Sequence, residues 1–270
     1  MDHSKNMVKL FDLTGKVCIV TGGTGYIGSQ FTNALLAHGA SVAVADIRES
    51  ETRWDTSAET YAASDKRKFF ICDVSSTDSV RSCFAEVAEQ MGRIDVLVNN
   101  ANYGGGFGAE SQIEFMSDEI FMYGVEGAVG TVFRCTREVI PYMKERGGSI
   151  INIASMYGVV SPDPRIYGDN PQKNPPNYGA GKAGVLQFTR HSGAHLACFG
   201  IRANAITPGP FPNPANQGDE KFNAGLAGKT MMERFGHASE LAGACVLLAS
   251  DASSFMTGSN ITVDGGWTAW

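Results

Sequence analysis

The 270-residue sequence lacks an excess of basic charge, any long hydrophobic run and any paired spacing among its cysteines. Lys and Arg number 22 against 28 Asp and Glu, a net charge of −6, and the longest basic run, Lys66–Lys68, is three residues. Nucleic-acid binders carry a basic field, so no nucleic-acid partner is expected. No apolar stretch approaches the length that crosses a bilayer, so no membrane partner is expected either. The opening MDHSKNMVKLFDLTGK has no apolar signal-peptide core, which sets a cytoplasmic location as the expectation. Cysteines 18, 72, 83, 135, 198 and 245 include no CxxC pair, and most sit in apolar runs such as KVCIV and FFICDV. They read as small buried hydrophobes in a reducing compartment, with no metal site expected.

What the chain does have is alternation. Hydrophobic residues make up 43% and charged residues 19%, a globular composition at a length that suits one α/β domain. Short β-rich runs at 16–20, 40–46, 68–74, 94–100, 149–155, 201–206 and 261–266 are separated by helical patterns. Helices are expected over Ile27–His38, Thr77–Met91 and about 117–143, 178–199 and 237–249. Seven strands so interleaved predict a doubly wound parallel sheet with helices on both faces. Two stretches stand apart, SPDPRIYGDNPQKNPPN (161–177) with five of the ten prolines and TPGPFPNPANQGDE (207–220) with four. Both read as loops at the carboxyl ends of strands, where ligands bind in open α/β sheets, and together they suggest a substrate lid.

TGGTGYIG (21–28) follows the first strand and opens the first helix, and it contains GxGxxG as Gly23, Gly25 and Gly28. Glycine there permits a tight turn, close approach of a pyrophosphate and close helix packing, while free N–H groups hold the anion. Asp46 ends the second strand, 18 residues past Gly28. A carboxylate at that place accepts from ribose hydroxyls and repels a 2′-phosphate, so NAD is favoured over NADP, with Arg48 as a partial counterweight. Asp73 reads either as an adenine contact or as the acid of the next helix start.

Carbonyl reduction needs a proton donor whose acidity is tuned. Of eight tyrosines only Tyr178 has a Lys four residues on, Lys182, one helical turn away on the same face. A nearby ammonium favours the phenolate. Taken alone the pair also reads as an exposed helix pair. Ser155 ends the strand SIINIAS, where a hydroxyl can bond a substrate oxygen and a tyrosine together.

The glycine turn, Asp46, CDV (72–74), NNA (99–101), Ser155, Tyr178–Lys182, PG (208–209) and TGSNITVDGG resemble, in order and spacing, the short-chain dehydrogenases/reductases. The resemblance runs from about Leu13 to Gly266. It implies a single-domain Rossmann fold over 1–270, with 1–13 as an N-terminal extension and 156–177 and 207–236 as substrate loops. It also implies a Ser155–Tyr178–Lys182 catalytic set. Tyr178 is then the acid or base, Lys182 holds the nicotinamide ribose, and Ser155 orients the substrate oxygen. The cofactor-binding residues it implies are Gly22, Thr24, Gly25, Tyr26, Ile27, Gly28, Asp46, Ile47, Asp73, Val74, Asn100, Ala101, Tyr178, Lys182, Pro208 and Gly209. The C-terminal tail is similar to a tetramer-forming region, so a homo-oligomer, tetramer or dimer, is expected. Four departures mark this chain. The glycine turn is spaced as in the extended branch, Asn102 follows NNA, GVEGAVGTVF (124–133) lacks the usual catalytic Asn, and Ser155 and Tyr178 are 23 apart.

The expected activity is NAD-dependent interconversion of a secondary alcohol and a ketone. The polar insertion (Asp163, Arg165, Asp169, Asn170, Gln172, Lys173) points to a sugar, polyol or sugar acid. A 3-oxoacyl-thioester reductase, a nucleotide-sugar epimerase or dehydratase, and a non-catalytic NAD-binding protein remain as alternatives. His191 and His195, at i and i+4, read as surface or interface residues, and Met231, Met232 and Phe235 as lid or packing residues.

Overall fold

The computed structural model of the chain describes residues 7–49, 65–106, 108–169, 173–214 and 220–270. Its seven strands are β1 (Val17–Thr21), β2 (Ser41–Asp46), β3 (Arg67–Ile71), β4 (Val96–Asn99), β5 (Gly148–Ile153), β6 (Ile201–Pro208) and β7 (Asn260–Val263). They form one sheet in the order β3-β2-β1-β4-β5-β6-β7. Every pairing is parallel. Strand order reverses between β1 and β4, which opens a crevice at their carboxyl ends.

Among the described residues the helices are α1 (Tyr26–Ala37), α2 (Thr77–Met91), α3 (Asp118–Val125), α4 (Thr131–Met143), α5 (Pro176–Leu196), α6 (Glu220–Gly228) and α7 (Ala242–Ala249). The single helix expected near 117–143 is α3 and α4 joined by a π-helical turn, Glu126–Gly130. α2 starts on Ser76, whose side chain accepts from the Ser79 amide, and stops at Gly92 in the left-handed conformation (φ 81°).

Both faces of the sheet are covered. Phe84, Val87, Val139 and Met143 from α2 and α4 pack on Leu97 and Ile150 of one face. Phe31 and Leu35 of α1 and Leu248 of α7 pack on Val20, Val44 and Val98 of the other. Each such fully buried side chain contributes about 2–3 kcal/mol, so both layers are firmly fixed. A smaller cluster, Met156, Tyr157, Leu226 and Trp267, lies under the loops that follow β5 and β6.

Two expectations are corrected here. The stretch 207–236, read as a loop, contains the helix α6, whose Phe222 and Leu226 pack inward four residues apart. The stretch 161–177 is not wholly irregular either. It holds a 3-10 turn at Pro164–Tyr167, and its end already belongs to α5, which starts at Pro176. Proline is compatible with a first helical turn because its missing N–H would have no partner there. Residues 1–6 of the N-terminal extension, and Asn170 and Gln172 of the insertion, lie outside the described residues.

Candidate active site

The crevice at the strand reversal measures about 650 Å³. Its floor is the turn from β1 to α1. Thr21 pairs with Ala45 in the sheet, and the Gly22 amide donates to the Ala45 carbonyl at 2.8 Å. Gly22 has φ +63°, so the tight-turn glycine is Gly22 and not Gly23. A Cβ on Gly28 would lie 2.1 Å from the Gly22 carbonyl oxygen, so α1 can start only against a bare backbone. Asn100 braces the turn from the other side, its Nδ2 donating to the Thr21 and Gly22 carbonyls at 3.0 and 3.1 Å.

Gly25 caps α1 without any side-chain bond, which leaves the first amides of the helix facing the crevice. Free amides at a helix N-terminus fit a pyrophosphate, so the residues present suit a dinucleotide. Asp46 lies on the same lining. Its Oδ2 accepts from the Thr24 hydroxyl at 2.5 Å and the Thr24 amide at 3.1 Å, and its Oδ1 from the Ile47 amide at 2.8 Å. The carboxylate is thereby fixed in place with acceptor capacity to spare.

Gly22, Thr24, Gly25, Tyr26, Ile27, Gly28, Asp46, Ile47, Asp73, Val74, Asn100 and Ala101 all line this crevice. Asp73 also closes its own turn, accepting from the Ser75 amide at 2.9 Å. Pro208, Gly209, Tyr178 and Lys182 are not in the lining. Sequence reasoning missed Tyr103, Tyr123, Phe211 and Asn213, which the loops after β4 and β6 and helix α3 bring to its mouth. No spacing pattern announces them.

Ser155 caps the 3-10 turn Met156–Gly158 just beyond β5, its hydroxyl accepting from the Tyr157 amide. The same hydroxyl hydrogen-bonds the Tyr178 phenol. Burial raises the pKa of Tyr178 above the ordinary tyrosine value, so the phenol is a weaker acid than free tyrosine, and the Ser155 contact works against that rise. Lys182 is 4% exposed, and its Nζ donates to the Ile153 carbonyl at 2.8 Å and stands 5.8 Å from the centre of the Tyr178 ring. Desolvation lowers its pKa to about 8. Ser155, Tyr178 and Lys182 thus meet at the carboxyl edge of β5, which a 23-residue separation in sequence does not reveal. Asn177, beside Tyr178, is buried and donates to the Gly105 and Ile120 carbonyls, which pins the start of α5.

The insertion and α6 are tied to each other. Asp163 accepts from Lys229 at 2.9 Å and Arg165 at 2.7 Å, and Tyr167 packs on Phe222 with ring centres 5.1 Å apart. Lys173 donates to the Gly168 carbonyl within its own loop. The described charges of the insertion therefore largely satisfy one another, and Ile166 and Tyr167 are what it turns inward. Phe235 packs with the same cluster, whereas Met231 and Met232 are exposed. His191 and His195 stack face to face at 6.0 Å on α5. Among the described residues no three His, Cys, Asp or Glu are grouped to hold a metal. Five cysteines are buried and free, and Cys198 is exposed.

A family model described as enoyl-(acyl carrier protein) reductase matches residues 24–268. The 3-oxoacyl-(acyl-carrier-protein) reductase FabG of Thermotoga maritima is 35% identical over 256 residues, 94% of this chain and 98% of that one. The D-arabinitol 2-dehydrogenase (ribulose-forming) of Scheffersomyces stipitis is 31% identical over the full length of both. A gluconate 5-dehydrogenase from Burkholderia cenocepacia, solved with NADP and tartrate, superposes with a TM-score of 0.83 at 28% identity, covering 98% of this chain and all of that one. The chain belongs to the short-chain dehydrogenase/reductase family and is an NAD(P)-dependent oxidoreductase acting on CH–OH groups.

Proposed function

We propose that the chain is an NAD-linked dehydrogenase that interconverts a secondary alcohol and a ketone on a polyol, sugar or sugar acid. The observation that carries this reading is the meeting of Ser155, Tyr178 and Lys182 at the carboxyl end of β5, the strand paired with β4, whose following residues Asn100–Tyr103 line the glycine-floored crevice. The bound nicotinamide dinucleotide would supply the hydride acceptor or donor. Gly22, Gly25 and the first amides of α1 would hold its phosphates, and Asp46 its adenosine ribose. Ser155 donates to the substrate oxygen and sets it against Tyr178. The Tyr178 phenol gives a proton to the forming alkoxide in reduction and takes one in oxidation. Lys182 brings the only ammonium against that ring among the described residues, and two of its three donors have no bond to the chain.

Asp46 supports NAD over NADP, because a 2′-phosphate would meet a carboxylate already fixed by Thr24 and Ile47. Likeness to an arabinitol dehydrogenase and a gluconate dehydrogenase supports polyhydroxylated substrates. A second reading, reduction of 3-oxoacyl thioesters, is supported by the 35% identity to FabG. One panel separates them: kcat/KM with NAD+ and NADP+ over pentitols, aldonates and 3-hydroxyacyl thioesters. Turnover confined to the thioesters would refute the first reading. Tyr178→Phe is expected to lower kcat by about 10³ or more while NADH affinity holds, since the phenol lies outside the crevice lining.

A further inference from the structure

Tyr178 stands in the first turn of α5, so the placing of its phenol depends on how that turn is held. The ordinary device is absent, because Pro175 occupies the cap position and makes no side-chain bond to the helix. Asn177, one residue before the phenol, holds the turn instead. It is 1% exposed, and its Nδ2 donates to the Gly105 carbonyl at 3.1 Å and to the Ile120 carbonyl at 2.9 Å. An amide nitrogen carries two protons on one atom, and here each has its own carbonyl.

Both carbonyls belong to segments that wall the crevice. Gly105 follows Tyr103 by two residues, and Ile120 precedes Tyr123 by about one turn of α3. Both tyrosines line the crevice, and their ring centres are 4.9 Å apart. The Tyr103 amide in turn donates to the Gly127 carbonyl of the π-helical turn at 3.2 Å. One side chain therefore ties the start of the phenol's helix to the loop after β4 and to α3. The fit is close. A Cβ on Gly124 would lie 2.3 Å from Asn177 Nδ2, so a bare backbone at 124 is what leaves room for the amide.

We propose that Asn177 is a positioning residue that sets the Tyr178 phenol relative to the cofactor crevice. This rests on the assignment of Tyr178 as the acid or base given above. Losing the two bonds frees the first turn of α5, and a shift of about 1 Å at the reacting groups costs roughly a hundredfold in rate.

Two variants break the same bonds from opposite sides. Asn177→Ala removes the amide, whereas Gly124→Ala keeps it and drives it off its carbonyls. The assay uses NAD+ and the best substrate among pentitols, aldonates and 3-hydroxyacyl thioesters, with kcat expressed per NADH-binding site counted by fluorescence titration. Each variant is expected to lose about 10- to 100-fold in kcat per site. The Kd for NADH should stay within about threefold, since neither residue lines the crevice. The double variant should be no slower than Asn177→Ala, because the methyl acts only through the amide. Should Asn177→Ala fail to fold, Gly124→Ala carries the kinetic comparison alone. A merely structural role would reduce the number of binding sites and leave kcat per site unchanged, and that result overturns the inference. Losses that multiply in the double variant overturn it as well. Tyr178→Phe separates the two levels: if it is inactive while both other variants keep the wild-type kcat, the inference alone falls. Turnover that survives Tyr178→Phe, or wild-type enzyme that turns over none of the three substrate classes, overturns the proposed role of Tyr178 and this assignment with it.

Discussion

Around Gly22 and Gly28 the wall of the site is backbone, whereas around Tyr178 it is side chains. In the crevice, a methyl on Gly28 would sit 2.1 Å from a carbonyl oxygen, and Asn100 bonds two consecutive carbonyls of the turn. On the substrate side, the insertion meets α6 through the Asp163 ion pairs and the Tyr167–Phe222 ring contact. The nearest neighbour of a methyl on Gly225 of α6 would be Ile166 Cβ at 3.5 Å, an ordinary contact. The crevice serves a cofactor common to a whole family and is held rigidly by sterics. The other side is held by contacts that can be exchanged singly, which is how one scaffold takes different alcohols.

The sharpest way to break that contrast is a matched pair of alanines. Gly28→Ala is expected to cost on the order of 3 kcal/mol and to abolish NADH binding, since the helix start must shift from the turn. Gly225→Ala is expected to be neutral or to stabilise by up to about 1 kcal/mol, because Ala outranks Gly inside a helix. Thermal unfolding and NADH fluorescence titration of both variants measure the difference. Equal effects would mean that the two walls are built alike.

Lys182 sharpens the comparison electrostatically. Its folded pKa of about 8 lies below the ordinary lysine value of 10.5 because burial penalises the ammonium. Below about pH 8 both folded and unfolded chains hold the proton, and stability has no slope from this group. Between the two values the unfolded chain binds more protons, so stability rises with pH. Wild-type unfolding free energy minus that of Lys182→Met should therefore be flat below pH 8 and climb by up to roughly 3 kcal/mol towards pH 10.5. Denaturant titrations across that range provide the check. A difference that stays flat throughout would mean that the ammonium is not desolvated.

The contrast also explains what could be read in the sequence. The five inner strands β1, β2, β4, β5 and β6 are largely buried and read as apolar runs, while the half-exposed edge strands β3 and β7 were legible from their aromatic and β-branched residues, as was the glycine turn with Asp46 at the next strand tip. Tyr178 and Lys182 were legible because one helical turn joins them. Gly22 was expected to touch the cofactor, but that it is also the glycine of the tight turn was hidden, since GxGxxG begins at Gly23 while the positive φ falls one residue earlier. Helix α6 was hidden by its weak pattern: EKFNAGLAG carries two glycines and only Phe222 and Leu226 as an inward pair. Phe211, Asn213, Tyr103 and Tyr123 could not have been found, because two loops and helix α3, far apart in sequence, bring them to the crevice. What the sequence could not show is where the charges of the insertion go: Asp163 bonds Arg165 and Lys229, and Lys173 bonds the Gly168 carbonyl.

The smallest expected effect comes from loosening that lid. Asp163 Oδ2 joins Lys229, which follows α6, to Arg165 of the insertion, and the Lys229 carbonyl takes a bond from the Trp270 indole at 3.0 Å. Asp163→Asn removes the charge but keeps the shape. Because the pairs are partly exposed, the alcohol KM should rise only about two- to fivefold. Bonds from Arg165 and Lys229 hold the Asp163 carboxyl well below the ordinary value of 3.8. Its contribution is therefore complete above that value and lost only as pH falls towards the lower folded value, so the KM change should be constant across neutral pH. The KM for NAD+ should not move, because no atom of this latch lines the crevice. A parallel rise in both constants would show that lid and cofactor floor are mechanically one body, and would undo the distinction between them.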